Sequence, residues 1–129
     1  MTEQAAASDN PKTVLLAEDD RSIRRLLEVV LNHAGYAVIS AEDGAQALQI
    51  AFEHPFDIAV LDAMMPNLGG YELCRIFRSH PNFQHLPLVI LSGIENEITS
   101  DADAYLLKTS NMQDKLLEVL AALLKSREV

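Results

Sequence analysis

The sequence has little cysteine, little basic charge and no long apolar run. Its single cysteine, Cys74, cannot form an internal disulfide, which favours a reducing compartment. Ten lysines and arginines stand against 19 aspartates and glutamates, and the net charge of −9 argues against binding to nucleic-acid phosphates. Every apolar run is far shorter than the roughly 18 residues of a membrane span, and the N-terminus lacks a basic and apolar leader. We therefore expect neither nucleic acid nor a membrane as a partner.

The chain does have the size and composition of one globular domain. With 129 residues, 49% of them apolar and 22% charged, it can bury a core without a disulfide or a structural metal. Residues 1–11 are polar and alanine-rich without periodicity, and we expect a flexible tail there. Residues 12–129 should form the folded domain.

Short apolar runs alternate with amphipathic segments along this domain. The runs predict strands, because each is too short for a helix and is apolar on both faces. Strand–helix alternation at this spacing predicts a parallel α/β sheet with helices on both sides. The predicted strands are Thr13–Ala17, Tyr36–Ile39, Asp57–Leu61, Leu88–Leu91 and Tyr105–Leu107, and the predicted helices follow the first, second, third and fifth of them.

Capping residues mark the ends of the predicted helices. Asp20 is placed to cap the first helix, and Gly35 should stop it. Asp43 and Gln46 have the spacing of a capping box at the start of the second helix. The first helix should bury an apolar stripe, which comprises Ile23, Leu26, Leu27, Val30, Leu31 and Ala34.

Polar residues follow the carboxyl ends of the predicted strands, where open α/β sheets bind their ligands. Clustered carboxylates repel one another unless a cation intervenes, and oxygen ligands suit Mg²⁺ or Mn²⁺. An aspartate in such a cluster can act as a nucleophile in phosphoryl transfer, with a lysine and a hydroxyl holding the phosphoryl oxygens. The residues concerned are Glu18, Asp19, Asp20, Asp62, Ser92, Gly93 and Lys108.

Four motifs in this chain resemble, in order, the signatures of response-regulator receiver domains. They are VLLAEDDRSIRRLL (14–27), LDAMMPNLGGYELCRIFR (61–78), PLVILSG (87–93) and DAYLLK (103–108). The resemblance implies a flavodoxin-like fold with strand order 2-1-3-4-5. It also implies a cytoplasmic, non-enzymatic domain of two-component signalling. Its expected partners are a sensor histidine kinase or a histidine phosphotransfer protein, and a downstream target protein.

The resemblance also assigns roles to individual residues. Asp62 would accept the phosphoryl group of a phosphohistidine in a reaction that depends on Mg²⁺ or Mn²⁺. The metal would be held by Glu18, Asp19, Asp62 and the main-chain carbonyl of Met64. Of the remaining roles, the switch hydroxyl falls on Ser92, the switch aromatic on Tyr105, and the lysine of the site on Lys108.

Two features depart from the family pattern. Receivers carry a complete helix between the fourth and fifth strands. In this chain the segment available for it, residues 95–103, is shorter than an average helix and is rich in Asn, Thr, Ser and Asp, which disfavour helix interiors. We expect that helix to be short, irregular or absent. Thr109 stands where the family usually has a proline in a cis peptide bond. Either a trans bond displaces Lys108, or the fold holds a cis bond that is costly without proline.

These features leave more than one function open. The leading interpretation is a phosphoacceptor domain that signals through protein contacts, because no further domain follows the last predicted helix unless the chain is part of a longer protein. A receiver-like interaction module that does not use phosphorylation is the alternative. A metal-dependent phosphohydrolase would need a second aspartate two residues after Asp62, where this chain has Met64.

Overall fold

The computed structural model describes residues 10–93 and 101–127 of the chain. Strands and helices alternate along these ranges. The strands are β1 (Thr13–Ala17), β2 (Ala37–Ala41), β3 (Ile58–Asp62), β4 (Leu88–Ser92) and β5 (Ala104–Leu107). The helices are α1 (Arg21–His33), α2 (Gly44–Glu53), α3 (Gly70–Ser79) and α4 (Met112–Arg127). The tail predicted over residues 1–11 lies almost entirely outside the described residues.

All five strands are parallel, and the predicted flavodoxin-like order β2-β1-β3-β4-β5 is confirmed. The chain moves outward from β1 to β2 and then returns to β3 on the other side of β1. This reversal opens a crevice at the carboxyl ends of β1 and β3, where ligands of such sheets bind. Within the described ranges, no helix combines the length and apolar character needed to cross a membrane.

Helices cover both faces of the sheet, so the core has two halves. Residues of α2 and α3 pack on one face, and residues of α1 and α4 pack on the other. Alternate residues of β1 enter the two halves, with Leu15 on one side and Val14 and Leu16 on the other. Burial on both faces is the reason why the strands are apolar without a polar alternation.

Helix α1 begins and ends as predicted, but it buries fewer residues. The Asp20 side chain accepts the N–H of Ile23 at 3.0 Å, and Gly35 has a φ of +100° just past the helix end. Leu27 and Leu31 are buried, whereas Leu26 is 42% exposed and Ala34 is exposed as well, so the predicted burial of Leu26 and Ala34 is wrong. The helix touches the sheet along a narrow stripe, and Leu26 lies one position around the helix from it.

The capping box of α2 is confirmed with a shift of one residue. The Asp43 side chain accepts the N–H of Gln46 at 2.8 Å. In return, the Gln46 side chain accepts the N–H of Glu42 at 2.6 Å, although a standard box would use the N–H of the capping residue itself. The side chain of Gln46 therefore holds the backbone of the loop between β2 and α2 at Glu42, one residue before the capping residue.

The helix predicted to be short or absent between β4 and β5 falls mostly on residues 94–100, which lie outside the described residues. Residues 101–103 are described, and they approach β5 in a non-helical conformation. For residues 95–100 the expectation remains a prediction.

Candidate functional site

Three polar or charged side chains are buried among the described residues, and all three lie at one edge of the sheet. They are Glu18 directly after β1, Asp62 at the end of β3 and Ser92 at the end of β4. Because β1, β3 and β4 are neighbours in the sheet, their carboxyl ends converge at the crevice. Burying two carboxylates side by side costs free energy unless a cation balances them. A positive charge is therefore needed at the carboxyl ends of β1, β3 and β4.

Lys108 brings a positive charge to these carboxylates. Its Nζ lies 3.0 Å from Glu18 Oε1 and 3.0 Å from Asp62 Oδ1. The backbone of Lys108 is held by its N–H, which donates to the carbonyl of Ser92 at 2.9 Å. Burial lowers the pKa of Lys108, but the carboxylates of Asp62 and Glu18 outweigh that effect and the pKa ends above its ordinary value. The lysine is therefore charged at neutral pH.

Lys108 reaches both carboxylates across a trans peptide bond to Thr109. The described peptide bonds are all trans, including the one between Lys108 and Thr109. The N–H of Thr109 donates to the carbonyl of Leu107 at 2.9 Å, which closes a tight turn around Lys108. A proline has no N–H and could not make this bond. Of the two outcomes expected from the missing proline, the cis bond is wrong, and the trans bond leaves Lys108 Nζ 3.0 Å from both Glu18 and Asp62.

Glu18, Asp19 and Asp62 form a carboxylate cluster. One carboxylate oxygen of each lies within 4.8 Å of the others. Glu18 Oε1 is buried and pairs with Lys108 Nζ at 3.0 Å, while Oε2 accepts the N–H of Asp20 at 3.1 Å. Asp19 is exposed at the mouth of the crevice. An oxygen-only set with one side open to water fits Mg²⁺, which keeps several of its waters.

Two carboxyl groups of the cluster hold their protons more tightly than usual. Burial, followed by the neighbouring Glu18, raises the pKa of Asp62, although Lys108 opposes both effects. A hydrogen bond shared with Asp62, followed by burial, raises the pKa of Asp19. The cluster is therefore strained electrostatically in the absence of a metal ion.

We expect the contribution of these two groups to make the metal-free protein less stable at neutral pH than at acidic pH. Their pKa values are raised above the ordinary 3.8 in the folded state, so the folded state binds protons more tightly than the unfolded state. The destabilisation is present at neutral pH and disappears as the pH falls through the raised values. In urea titrations with EDTA, Asp62→Asn should therefore be more stable than wild type at neutral pH. That difference should shrink as the pH falls through the raised pKa values, and equal stabilities at neutral pH would contradict the expectation.

The residues assigned to the switch lie in different surroundings. Ser92 is buried at the end of β4, and its carbonyl holds Lys108. Tyr105 is half-buried in β5 and packs against the half of the core that contains α3, with its ring centre 6.4 Å from that of Tyr71. Met64 is 71% exposed, and its N–H lies 3.4 Å from Asp62 Oδ1.

Sequence reasoning missed two residues that hold the backbone of the site. Arg24 Nη1 donates to the carbonyl of Glu18 at 2.8 Å. Gly70 begins α3 so close to β3 that a Cβ there would lie 2.5 Å from the carbonyl oxygen of Asp62. The paired glycines after Asp62 are a sequence signal for such a close approach. Arg24 has no comparable signal, because it reads as an ordinary helix-surface arginine.

Comparison with known proteins extends over most of the chain. A family model described as the response regulator receiver domain matches residues 14–121. The transcriptional regulatory protein GltR of Pseudomonas aeruginosa is 34% identical over 126 residues, covering 93% of this chain and 52% of that protein. The probable transcriptional regulator ycf27 of Cyanophora paradoxa is 41% identical over 103 residues, covering 77% of this chain and 43% of that protein.

The chain thus spans about half the length of these curated relatives. Both names describe regulators of transcription and refer to the whole proteins. The net charge led us to expect no nucleic acid among the partners, and these names do not support that expectation.

Solved structures give the same picture. The receiver domain of the Francisella response regulator 1452 superposes with a TM-score of 0.82 at 32% identity, covering 92% of this chain and 99% of that one. The response regulator TrrA of Thermotoga maritima, solved in complex with Mg²⁺-BeF, superposes with a TM-score of 0.80 at 29% identity. That match covers 87% of this chain and 98% of the TrrA chain.

Proposed function

The chain belongs to the response-regulator receiver-domain family, and we propose that it accepts a phosphoryl group on Asp62 and signals through protein contacts. The observation that carries the proposal is the placement of Asp62, which is buried at the switch point of the sheet with Lys108 Nζ 3.0 Å from its Oδ1. A buried aspartate beside a fixed cation is suited to receive an anionic group, because the developing charge is met by a preorganised donor.

The proposed reaction moves one phosphoryl group between two proteins. A carboxylate oxygen of Asp62 bonds to the phosphorus of a phosphohistidine while the phosphorus–nitrogen bond breaks. The imidazole nitrogen keeps the electron pair and takes up a proton, and Asp62 becomes an acyl phosphate. Lys108 lies next to the new phosphoryl oxygens as a charge-assisted donor, and the hydroxyl of Ser92 is the proposed second donor. The chain is the acceptor in this transfer and does not act as an enzyme on other molecules.

A divalent cation fits the carboxylate cluster. Glu18, Asp19, Asp62 and the main-chain carbonyl of Met64 are the proposed ligands for Mg²⁺ or Mn²⁺. When bound, the cation would neutralise charge on the phosphoryl oxygens. Support comes from the oxygen-only donor set and from the raised pKa values of Asp19 and Asp62. The Mg²⁺-BeF complex of TrrA is consistent with such a site in a related protein.

The proposed partners follow from this reaction. The donor is a sensor histidine kinase or a histidine phosphotransfer protein, and the phosphorylated form acts on a downstream protein. A kinase-linked signalling domain with a single cysteine is expected in the cytoplasm. Tyr105 is the proposed switch aromatic, and its contact with Tyr71 of α3 is the packing that a switch at this position would change.

One labelling experiment separates this proposal from an interaction module that does not use phosphorylation. The protein is incubated with acetyl phosphate and Mg²⁺, with a parallel sample in EDTA, and the intact mass is measured. We expect the mass of one phosphoryl group to appear with Mg²⁺ and not with EDTA. An unchanged mass with Mg²⁺ would support the interaction module.

Binding of Mg²⁺ should be weak and should depend on Asp19 and not on Asp20. Asp19 belongs to the carboxylate cluster, whereas the Oδ1 of its neighbour Asp20 caps α1. Asp19→Ala should weaken Mg²⁺ binding by at least about tenfold, since even the loss of an outer-shell partner costs that much. Titration calorimetry on wild type, Asp19→Ala and Asp20→Ala measures this. Equal losses in the two variants would show that the acidic pair is assigned wrongly.

A further inference from the structure

Strand β5 carries Lys108 to the site, yet its own sequence specifies its register weakly. It is an edge strand of four residues and, among the described residues, it pairs only with β4. All four of its residues are apolar, with the first three half-buried and Leu107 exposed, so no polar alternation distinguishes one face of the strand from the other. A shift by one residue would still leave apolar side chains on both faces, but it would turn Lys108 to the opposite face of the sheet. Contacts outside the strand must therefore set the register.

Arg78, near the C-terminal end of α3, makes such contacts with the residues that lead into β5. Its Nη2 lies 2.7 Å from Asp103 Oδ2, and its Nε donates to the carbonyl of Asp101 at 2.8 Å. Its Nη1 donates to the carbonyl of Leu86 at 2.7 Å, just before β4 begins. One planar guanidinium group thus joins α3 to the entries of both β4 and β5.

Asp103 fixes the position of the start of β5 relative to β4. The Oδ2 that receives Arg78 also accepts the N–H of Leu88 at 2.7 Å, and the N–H of Asp103 donates to the carbonyl of Leu88 at 2.8 Å. With Asp103 held opposite Leu88, the ladder starts with Ala104 beside Val89. The same ladder ends where the N–H of Lys108 meets the carbonyl of Ser92.

We propose that Arg78 is a positioning residue for Lys108. Through Asp103 it sets the register of β5, and the register places Lys108 Nζ between Glu18 and Asp62. Only the consequence for phosphoryl transfer rests on the proposed function; the effect on Lys108 itself does not. The fork of the guanidinium group is required, since it donates to four acceptors, the carbonyls of Gln84, Leu86 and Asp101 and the carboxylate of Asp103, in fixed directions that an ammonium group cannot match.

The first test reads the position of Lys108 directly. The Nζ signal of Lys108 is recorded by NMR and assigned by its loss in Lys108→Met. We expect Arg78→Gln to move this signal towards those of exposed lysines, and Arg75→Gln to leave it in place. Arg75 lies on the same helix and is exposed, which makes it the matched control. If Arg78→Gln does not fold, Arg78→Lys is used with the same criterion. An unmoved signal in a folded Arg78 variant would overturn the proposal.

The second test asks whether the effect on phosphorylation passes through Lys108. We expect Arg78→Gln to lower the initial rate of labelling by acetyl phosphate about tenfold, less than the ~100-fold that a 1 Å misplacement can cost. The same change in a Lys108→Met background should lower the rate no further. Equal relative losses in both backgrounds would mean that Arg78 only supports the fold, and would overturn the proposal. A wild-type protein that takes no label would contradict the proposed function instead, and the NMR result would still decide the role of Arg78.

Discussion

An Asp62→Asn variant should take up no phosphoryl group from acetyl phosphate or from a phosphohistidine protein. The asparagine amide keeps the shape of the side chain but is not a nucleophile, and no other acidic side chain within the described ranges is buried beside Lys108 except Glu18. Glu18 is fully buried, with both carboxylate oxygens engaged by Lys108 and by the N–H of Asp20, so it should not substitute. Intact mass after incubation with Mg²⁺ and acetyl phosphate measures the result.

Asp20→Asn is the matched control for this experiment. Asp20 adjoins the cluster, and asparagine caps a helix as well as aspartate does, so the fold should be retained. The control should be labelled like wild type. Labelling of Asp62→Asn at the wild-type level would show that the phosphoacceptor is another residue.

Lys108→Met should destabilise the metal-free protein by about 3 kcal/mol at neutral pH, the lower end of the cost of breaking a buried ion pair. Its ammonium group lies 3.0 Å from both Glu18 Oε1 and Asp62 Oδ1, and the Glu18 side chain is completely buried. Without the lysine both carboxylates lose this nearby cation. Urea unfolding measures the loss, and added Mg²⁺ should restore part of it because the cation replaces some of the missing charge.

A second substitution distinguishes lost charge balance from lost packing. Glu18→Gln in the Lys108→Met background removes the uncompensated buried charge and should recover part of the lost stability, which a double-mutant cycle quantifies. Lys115→Met, at an exposed position of α4, should have little effect. If Lys108→Met and Lys115→Met are equally stable, Lys108 does not balance the buried carboxylates.

Local patterns account for the elements of the fold. The apolar runs at residues 14–17 and 58–61 are central strands of a parallel sheet, which are buried on both faces. Burial on both faces requires several consecutive apolar residues, and such a run is visible in the sequence. The caps at Asp20 and Asp43 are equally local, since donor and acceptor lie three residues apart. Resemblance to receiver domains supplied the strand order and the roles of the candidate site residues, which periodicity alone does not determine.

The sequence by itself determined the strands, the helix caps and the polar residues at the strand ends, because each depends on neighbours within a few positions. Tertiary structure alone decided that Lys108 reaches Glu18 and Asp62 across a trans bond, that Leu26 faces solvent, and that Arg78 holds the entry to β5. These outcomes depend on distances between segments far apart in the chain. Such distances are set by sheet register and by the packing of helices on the sheet, and neither leaves a periodic signal in the residues concerned.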